Sequence, residues 1–593
     1  MYRAPLRDLR FVLHELLGDE RLAGYYKSVD YSGELADSIL DEAAKFGENV
    51  LEPLNKTGDS EGAKWTPEGV VVPKGFKEAY ASYIESGWTQ LSVPEAEGGQ
   101  GMPQLVNTAV EEIMFASNMA FYLGTSLARG AVEAIAASGS AAILGQYLPK
   151  LVSGEWMGTM NLTEAQAGSD LALLRTRAAA EGDHHRIFGQ KIFITYGDHD
   201  MTDNIVHLVL ARIDGAPAGT RGISMFLVPK YLLNADGSRG APNDVRCISI
   251  EHKLGLHASP TCVMAFGERE GAIGYLLGEP NTGLAHMFIM MNAARLSVGV
   301  QGLAQSERAF QQALDWSRSR LQGKAPGAGS GPVAIVNHPD VKRMLLSMKS
   351  RIEAMRVLAC TAALALDAAH REPDEAERAA ALLRAELLTP IVKGWCTETA
   401  IDVTSTGIQV HGGMGFIEET GAAQFLRDVR VAAIYEGTTG IQSNDLIGRK
   451  LGRDRGAAMT LLIDDLVSGL ELPGVAEADF QAVKIAATEA LGLLREATTS
   501  ALDQLAASPA QAMAVSVPYL ELCGTVIAGA LLARGAGVAA RTLAAGSDEV
   551  AFYRAKLRTA RFYADQVLPA AHGLARIVKA GAASVAQIDP ATI

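Results

Sequence analysis

A single carboxylate interrupts an apolar stretch in the second half of the chain, within "IYEGTTGIQ" at 434–442. Glu436 follows the apolar run and is followed at once by glycines and threonines. A carboxylate that leaves water without a partner or a proton loses on the order of several kcal/mol. Two interpretations therefore stay open: Glu436 is a helix-end group in water, or a chemical step uses it.

A second polar segment, "MNLTEAQAGSDL" at 160–171, leaves a predicted strand through Thr163 and ends in small residues around Gly168 and Ser169. Because glycine and alanine remove the steric barrier, backbone amides there can approach a flat polar ligand closely. The alternative is an ordinary strand-to-helix connection in which Ser169 or Asp170 caps the next helix.

A third segment, "GQKIFITYG" at 189–197, is a predicted strand that carries Phe193 and Thr195 on the same face. An aromatic ring and a hydroxyl on one face suit a ligand ring that is stacked and hydrogen-bonded at its edge. They equally suit a core phenylalanine beside an edge threonine.

Glycines and charged residues precede the Glu436 segment. Three glycines permit a backbone bend close to a binding partner: Gly412, Gly413 and Gly415. The alternating charges of "RDVR" at 427–430 predict surface ion pairs, and Glu418 and Glu419 are interpreted as solvated residues at a helix start.

Several site types lack their sequence motif. The chain has no GxGxxG after a strand, no GxxxxGK[ST], no HExxH and no GxSxG, so a nucleotide has to be bound in another way. Five scattered cysteines without a CxxC pair indicate neither a zinc site nor a disulfide framework, and we expect no metal. The "DHHR" at 183–186 is interpreted as a turn into a strand.

Composition narrows the class of protein further. The net charge of −14 argues against a nucleic-acid binder, and the apolar fraction of 48% with abundant Ala and Leu favours a mainly helical chain. The first residues lack the core of a signal peptide, and no run reaches the ~18 uninterrupted apolar residues of a membrane span. We therefore expect a cytoplasmic protein that does not bind membranes.

Changes in periodicity predict the domain order. Helical spacing, then short β-branched runs, then helical spacing again predict a mainly α chain with a central antiparallel β-sheet or small barrel. A stretch rich in Gly, Ala and Pro, "QGKAPGAGSGP", predicts a flexible loop between two long helices. The predicted segments are an N-terminal extension at 1–34, a helical domain at 35–154, a β domain at 155–280, a helical bundle at 281–452 and an extra helical domain at 453–593.

Taken together, four motifs resemble the acyl-CoA dehydrogenase family: "LTEAQAGSD", "KIFIT", "QVHGGMG" and "IYEG". The resemblance covers about 35–451, and the predicted order helical, β, helical is the architecture of that family. The long N-terminal start and the C-terminal helical block resemble its 3-methylmercaptopropionyl-CoA dehydrogenase-like branch.

The resemblance implies FAD as cofactor. By this resemblance, Leu162 and Thr163 would contact the pyrimidine edge of the flavin, and Thr195 would contact its N5 side. Ser169 would contact the pyrophosphate or pantetheine region. Phe193 stands where most relatives have Trp. The full set of expected FAD contacts is Met160, Leu162, Thr163, Gly168, Ser169, Phe193, Ile194, Thr195, Arg320, Gln322, Gln409, Gly412, Gly413, Thr438 and Gly440.

Some of these contacts would be made across a homodimer. Arg320 and Gln322 would reach the diphosphate of the partner's FAD, and Gln409, Gly412 and Gly413 would cradle its adenosine end. The chain departs from the family here, because the usual Phe after the glutamine is missing and the following loop is longer.

The resemblance also implies the reaction. Glu436 would remove the α-proton of an acyl-CoA thioester while the β-hydrogen leaves as hydride to flavin N5, which gives a trans-2-enoyl-CoA as in fatty acid β-oxidation. Some relatives carry the base where this chain has Ala294, which cannot act as a base. The expected substrate-side residues are Ser169, Arg295, Tyr435 and Gly437.

The expected substrate is 3-methylmercaptopropionyl-CoA or a short, medium or longer fatty acyl-CoA, and the expected electron acceptor is an electron-transfer flavoprotein. One alternative is an acyl-CoA oxidase, in which oxygen reoxidises the flavin. A second is a flavin-containing nucleic-acid-binding protein of the alkylation-response type. That type needs a basic surface, whereas the charge of 453–593 is mixed.

Overall fold

Helices make up most of the fold. The structure is a computed structural model that describes residues 2–325 and 331–593. The middle of the predicted flexible loop, 326–330, lies outside the described residues. The helices are α1 Leu6–Arg10, α2 Asp19–Tyr25, α3 Gly33–Phe46, α4 Glu52–Glu61, α5 Phe76–Glu85, α6 Gln104–Ser138, α7 Ala141–Val152, α8 Gly283–Ser319, α9 Pro339–Arg371, α10 Glu375–His411, α11 Ala422–Val429, α12 Thr439–Asp445, α13 Gly452–Asp454, α14 Ala457–Gly469, α15 Ala478–Ala507, α16 Pro509–Ala514, α17 Ser516–Ala544, α18 Val550–Gln566, α19 Ala570–Ala580 and α20 Ala583–Ala586.

The strands lie mainly in the predicted β domain. They are β1 Lys64–Thr66, β2 Gly69–Val71, β3 Trp156–Asn161, β4 Arg177–Glu181, β5 His184–Thr195, β6 Asn204–Ile213, β7 Ser224–Pro229, β8 Tyr231–Leu233, β9 Arg239–Pro242, β10 Val245–Ile250, β11 Thr261–Phe266 and β12 Ala272–Leu277. The "DHHR" segment begins in the turn between β4 and β5 at Asp183 and continues into β5, as predicted.

The chain forms two compact units. One consists of Met1–Ala44, Pro103–Ala116 and Arg295–Ile593, and we call it the helical unit; the other consists of Lys45–Met102 and Ser117–Ala294, and we call it the barrel unit.

The large sheet of the barrel unit closes on itself. Its strand order is β10-β11-β5-β12-β7-β6-β3, and β4 pairs with both β5 and β6, so that β5, β12, β7, β6 and β4 form a ring. Alternating apolar side chains fill the interior, among them Val209, Phe226, Val228 and Phe266. Closure pairs each strand of this ring on both sides, so the ring itself has no free strand edge.

Two strand pairs differ from the predicted antiparallel arrangement. β6 runs parallel to β3 and to β4, whereas the other pairs of the sheet are antiparallel. The alternation of apolar residues determines which face of a strand is buried but not the direction of its neighbour. A parallel return needs a long connection, and here the chain forms β4 and β5 between β3 and β6.

A short hairpin, β1 with β2, interrupts the predicted first helical domain. Trp65 Nε1 donates to the backbone oxygen of Cys247 at 3.1 Å, which fastens the hairpin to the barrel unit. The segment "WTPEGV" carries a sequence signal for this hairpin, because Pro67 and Gly69 suit a tight turn between two short β runs.

The helical unit is built around long, mostly buried helices. α17 passes so close to α10 that Gly524 leaves no room for a Cβ against the ring of Trp395. Two helices, Gly283–Ser319 and Ser516–Ala544, are long and apolar enough to cross a membrane, but 50% and 89% of their most apolar stretch is buried within the protein. Helices that form the core of a protein also combine a long apolar sequence with burial of this kind, so length and composition alone do not identify a membrane span.

The N-terminal residues pack within the helical unit. Asp8 pairs with Lys556 of α18, and Arg7 Nη2 lies 2.9 Å from Glu549 Oε2. Residues from the two ends of the sequence therefore stabilise each other.

Candidate active site

Glu436 lies in a tight turn between a 3-10 turn, Arg430–Ala433, and α12. Thr438 caps α12, since its hydroxyl accepts a hydrogen bond from the Ile441 amide at 3.2 Å. Glu436 and Gly437 both adopt positive φ, 55° and 91°. A non-glycine residue in this region stores roughly 1–3 kcal/mol, and such strain clusters at functional sites.

Buried donors hold the carbonyl groups of this turn. Gln442 Nε2 donates to the backbone oxygens of Glu436 and Gly437 at 3.1 and 3.2 Å. Lys393 Nζ donates to the same Gly437 oxygen at 2.7 Å. Gln442 and Lys393 are both 0% exposed, so solvent does not compete for these bonds.

Glu436 is half-buried and lies outside any helix, so it is not the helix-end group that one interpretation of the sequence allowed. Burial raises the pKa of Glu436, and the nearby cations Arg295 and Lys393 offset only part of that effect. A carboxylate with a raised pKa is a stronger base than one in water.

Arg295 is buried near Glu436, and its Nη1 lies 3.8 Å from Asp445 Oδ2. Burial lowers the pKa of Arg295, while Asp445 and Glu436 favour its charged form. Arg295 therefore forms an ion pair with Asp445 and interacts electrostatically with Glu436.

The neighbours of Glu436 in sequence are also fixed. Tyr435 OH donates to Gln301 Oε1, and burial raises the pKa of Tyr435. Thr439 Oγ1 donates to Glu398 Oε1 at 2.6 Å. These bonds hold the segment on both sides of the carboxylate.

The "RDVR" segment fits the predicted surface ion pairs only in part. Arg427 Nη2 lies 2.9 Å from Glu418 Oε2, which is exposed, as expected. Asp428 is instead buried and accepts from Gln424 Nε2 at 3.2 Å. The apolar face of α11 carries Asp428 inward together with Val429.

In the barrel unit, Glu164 is the anchor of the loop that follows β3. Its carboxylate accepts from Lys191 Nζ at 2.8 Å, from Thr176 Oγ1 at 2.6 Å and from the amides of Arg175 and Thr176. Burial alone would raise the pKa of Glu164, but Lys191 and these hydrogen bonds lower it to about 2. Glu164 is therefore ionised and structural.

Lys191 also fixes the backbone just before Glu164. Its ammonium donates to the Leu162 oxygen at 2.9 Å, and the Ile192 amide donates to the Thr163 oxygen at 2.9 Å. The end of β3 is thus held against β5, which leaves the opposite side of the Leu162 and Thr163 backbone to other partners.

Hydroxyl groups around this loop are free to bind a ligand. Asp170, not Ser169, caps the short helical turn Leu171–Leu173, since it accepts from the Ala172 amide at 3.0 Å. Within residues 2–325 and 331–593, the hydroxyls of Thr163, Ser169 and Thr195 make no hydrogen bond to the protein. Such groups suit a polar ligand edge.

Phe193 lies in a β-bulge opposite β11 and has a φ of 59°. It is 59% exposed, whereas its neighbour Ile194 packs into the barrel core and Thr195 is half-buried. The core-phenylalanine alternative is therefore wrong. A strained, exposed aromatic ring beside a free hydroxyl suits stacking against a planar ligand.

Other predicted contacts lie in the helical unit. Arg320 Nη2 donates to Gln322 Oε1 at 3.4 Å, and both are exposed. Gly412 ends α10 with a φ of 64°, whereas Gly413 has an ordinary φ and open space where a Cβ would lie. The chain itself does not require glycine at 413, so that position allows another molecule to approach closely.

Models of one protein family match nearly the whole chain. "Acyl-CoA dehydrogenase, N-terminal domain" matches residues 34–155, "Acyl-CoA dehydrogenase, middle domain" 159–268 and "Acyl-CoA dehydrogenase, C-terminal domain" 281–451. A fourth model, "Acetyl-CoA dehydrogenase C-terminal like", matches 463–589.

The chain matches similar proteins over nearly their whole length, and a solved structure shares its fold. The chain is 45% identical over 573 residues to a 3-methylmercaptopropionyl-CoA dehydrogenase of Ruegeria pomeroyi, which covers 96% of each chain. It is 34% identical to a butyryl-CoA dehydrogenase of Syntrophomonas wolfei, over 98% of this chain and 97% of the other. The crystal structure of Caenorhabditis elegans ACDH-11 in complex with C11-CoA has a TM-score of 0.75 at 21% identity and covers 96% of this chain and 92% of that one.

Proposed function

Because the chain belongs to the acyl-CoA dehydrogenase family of oxidoreductases, we propose that it uses FAD to introduce a double bond between Cα and Cβ of an acyl-CoA thioester. The single observation that carries the proposal is Glu436, a carboxylate with a raised pKa in a strained turn.

The proposed role of Glu436 is proton removal from Cα. The thioester α-proton is too weakly acidic for a carboxylate in water, so the base has to be desolvated and the developing enolate has to be stabilised. Burial supplies the first condition at Glu436. The product is a trans-2-enoyl-CoA, and the proton remains on the carboxyl until solvent takes it.

Backbone amides in the same turn are candidates for stabilising the developing enolate. In the described part of the chain, the N–H groups of Glu436, Gly437 and Thr438 donate to no protein acceptor. A free amide that is fixed in place stabilises an oxyanion without reorganisation. We propose the Glu436 amide as a donor to the thioester oxygen, and Gly437 as the position that leaves room for the thioester.

The barrel unit contains groups that fit a flavin. Thr163, Ser169 and Thr195 offer free hydroxyls, and Phe193 offers an exposed ring. FAD, when bound, supplies a two-electron acceptor at N5 for the hydride that leaves Cβ. We propose that Leu162, Thr163 and Thr195 orient its ring, with the wider set of predicted contacts as secondary positions.

The substrate we favour is 3-methylmercaptopropionyl-CoA or a similar short acyl-CoA. The name of the relative at 45% identity supports this choice, while the butyryl-CoA dehydrogenase at 34% identity supports short unsubstituted chains. As further proposals, an electron-transfer flavoprotein accepts the electrons, the protein is a homodimer and it works in the cytoplasm.

An acyl-CoA panel tests this function. The purified, FAD-loaded protein is mixed with short, medium and long acyl-CoA esters, including a methylthio-substituted short chain. An artificial electron acceptor is added under anaerobic conditions. We expect enoyl-CoA formation that needs the acceptor. Equal turnover in air without acceptor, with one peroxide per enoyl-CoA, would instead identify an oxidase, and no turnover with any ester would overturn the proposal.

Lys191→Met is expected to lower the flavin content of the purified protein. The change removes the donor to Leu162 and leaves Glu164 as a buried carboxylate without its cation, a kind of defect that costs about 3–5 kcal/mol. The loop after β3 then loses its fixed position. The absorbance ratio at 450 and 280 nm, before and after incubation with FAD, measures the loss.

Lys64→Met is the matched control, because Lys64 is exposed in the same unit and its Nζ lies 3.6 Å from Glu61 Oε1 at the surface. It should retain the flavin content of the wild type. Full flavin occupancy in Lys191→Met would show that the ion pair does not position the loop.

A further inference from the structure

Lys393 is a buried cation that the proposed reaction does not use. It lies on α10, in the apolar segment "TPIVKGWC", and is 0% exposed. Burying an ammonium group is costly unless it makes good contacts. In the described part of the chain, its hydrogen-bond partner is not a carboxylate but the backbone oxygen of Gly437, at 2.7 Å.

The charged groups around Lys393 come from α8, from α10, from the turn that holds Glu436 and from the segment that runs from the end of α12 to Arg449. Glu436 and Glu398 favour its charged form, whereas burial and Arg295 oppose it, and together they lower the pKa of Lys393 to about 8. Asp445 and Arg449 belong to the same group, since each pairs with a neighbour: Arg295 lies 3.8 Å and Arg449 3.6 Å from Asp445. Near neutral pH, Lys393 is therefore mostly protonated.

The bond is made next to the strained residue of the turn. Glu436 has a φ of 55°, and strain of this kind in a non-glycine residue persists only where the surroundings hold it, whereas Gly437 adopts its φ of 91° without that cost. Two donors converge on the Gly437 oxygen, Lys393 Nζ and Gln442 Nε2. A Cβ at Gly437 would lie 2.7 Å from Gln442 Nε2, so the turn is tightly packed against its donors.

We propose that Lys393 is the positioning residue of the base: its ammonium group pins the Gly437 carbonyl, keeps Glu436 in the left-handed turn and favours its ionised carboxylate. The inference rests on the proposed function for its kinetic consequence. The backbone geometry that it predicts does not depend on that function.

Two variants separate the hydrogen bond from the charge. Lys393→Met keeps the apolar stem and removes both the donor and the charge, whereas Lys393→Gln keeps an amide donor without the charge. Lys450→Met is the control, since Lys450 lies in the same unit and its Nζ lies 3.5 Å from Glu386 Oε2, away from the Glu436 turn. Each variant is examined for flavin content, melting temperature, kcat, KM and the pH profile of kcat/KM, and by a crystal structure.

We expect Lys393→Met to lower kcat at least tenfold with little change in KM, while flavin content matches that of the wild type. A cation near a carboxylate lowers its pKa, so loss of Lys393 moves the acid limb of kcat/KM to higher pH in both variants. In the crystal structure of Lys393→Met, Glu436 should leave the left-handed region, and Lys393→Gln should retain it. The control should show none of these changes.

A Lys393→Met protein with an unchanged turn, wild-type kcat and an unmoved acid limb would overturn the inference. If that variant does not fold, Lys393→Gln decides by its acid limb: a shift to higher pH supports the role and an unshifted limb refutes it. If the wild type dehydrogenates no acyl-CoA, the proposed function fails, and the turn in the variant structures alone decides whether Lys393 holds Glu436.

Discussion

Glu436→Gln is expected to lower kcat by about 10²- to 10⁴-fold, which is the usual contribution of a positioned general base. The amide has the size of the carboxyl but cannot accept the α-proton. Steady-state turnover with an artificial acceptor measures the effect.

The flavin content and the melting temperature of Glu436→Gln should remain those of the wild type, since burial disfavours the charged carboxyl in the first place. Glu418→Gln is the matched control, because Glu418 is an exposed carboxylate paired with Arg427. The control should keep full activity. Similar losses in both variants would mean that Glu436 has no special role.

Arg356→Met is expected to cause the largest loss of stability. Arg356 is buried in the helical unit, where its Nη2 lies 2.6 Å from Glu112 Oε1 and 2.8 Å from Glu307 Oε2. Removing one member of a buried ionic cluster costs about 3–5 kcal/mol, because the others are left unpaired. Burial raises the pKa of Glu112 and Arg356 lowers it, so Glu112 should take up a proton in the variant.

The melting temperature is the appropriate measure of this change, since a chain of two units does not guarantee two-state unfolding. We expect a fall of several degrees. Arg343→Met removes an exposed Arg that lies 2.8 Å from Asp340 on the surface of α9, and it should change stability by less than about 0.5 kcal/mol. Equal melting temperatures for both variants would refute the stabilising role of the cluster.

The family and the architecture could be predicted from the sequence, and both predictions are confirmed by the family models and the relatives. The four motifs were sufficient because they combine polar residues with glycines at positions that packing alone does not explain. The order of helical and β segments followed from periodicity, which reports burial directly.

Other features of the structure could not be predicted from the sequence. The parallel pairing of β3 with β6 depends on contacts between distant segments, and the alternation of side chains is the same for either direction. The left-handed conformation of Glu436 contradicts the ordinary preference of glutamate and is held by Gln442 and Lys393 from other positions in the chain. The signal for Lys393 was a lone lysine in an apolar helix, but only the fold shows its partner.

The central claim is that Glu436 removes the proton from Cα. Its most direct test is anaerobic rapid mixing of flavin-loaded wild type and Glu436→Gln with the best acyl-CoA of the panel, followed by flavin absorbance at 450 nm. The account predicts fast bleaching in the wild type, slower bleaching when Cα carries deuterium, and essentially none in the variant despite bound acyl-CoA. Bleaching of Glu436→Gln at the wild-type rate would contradict it.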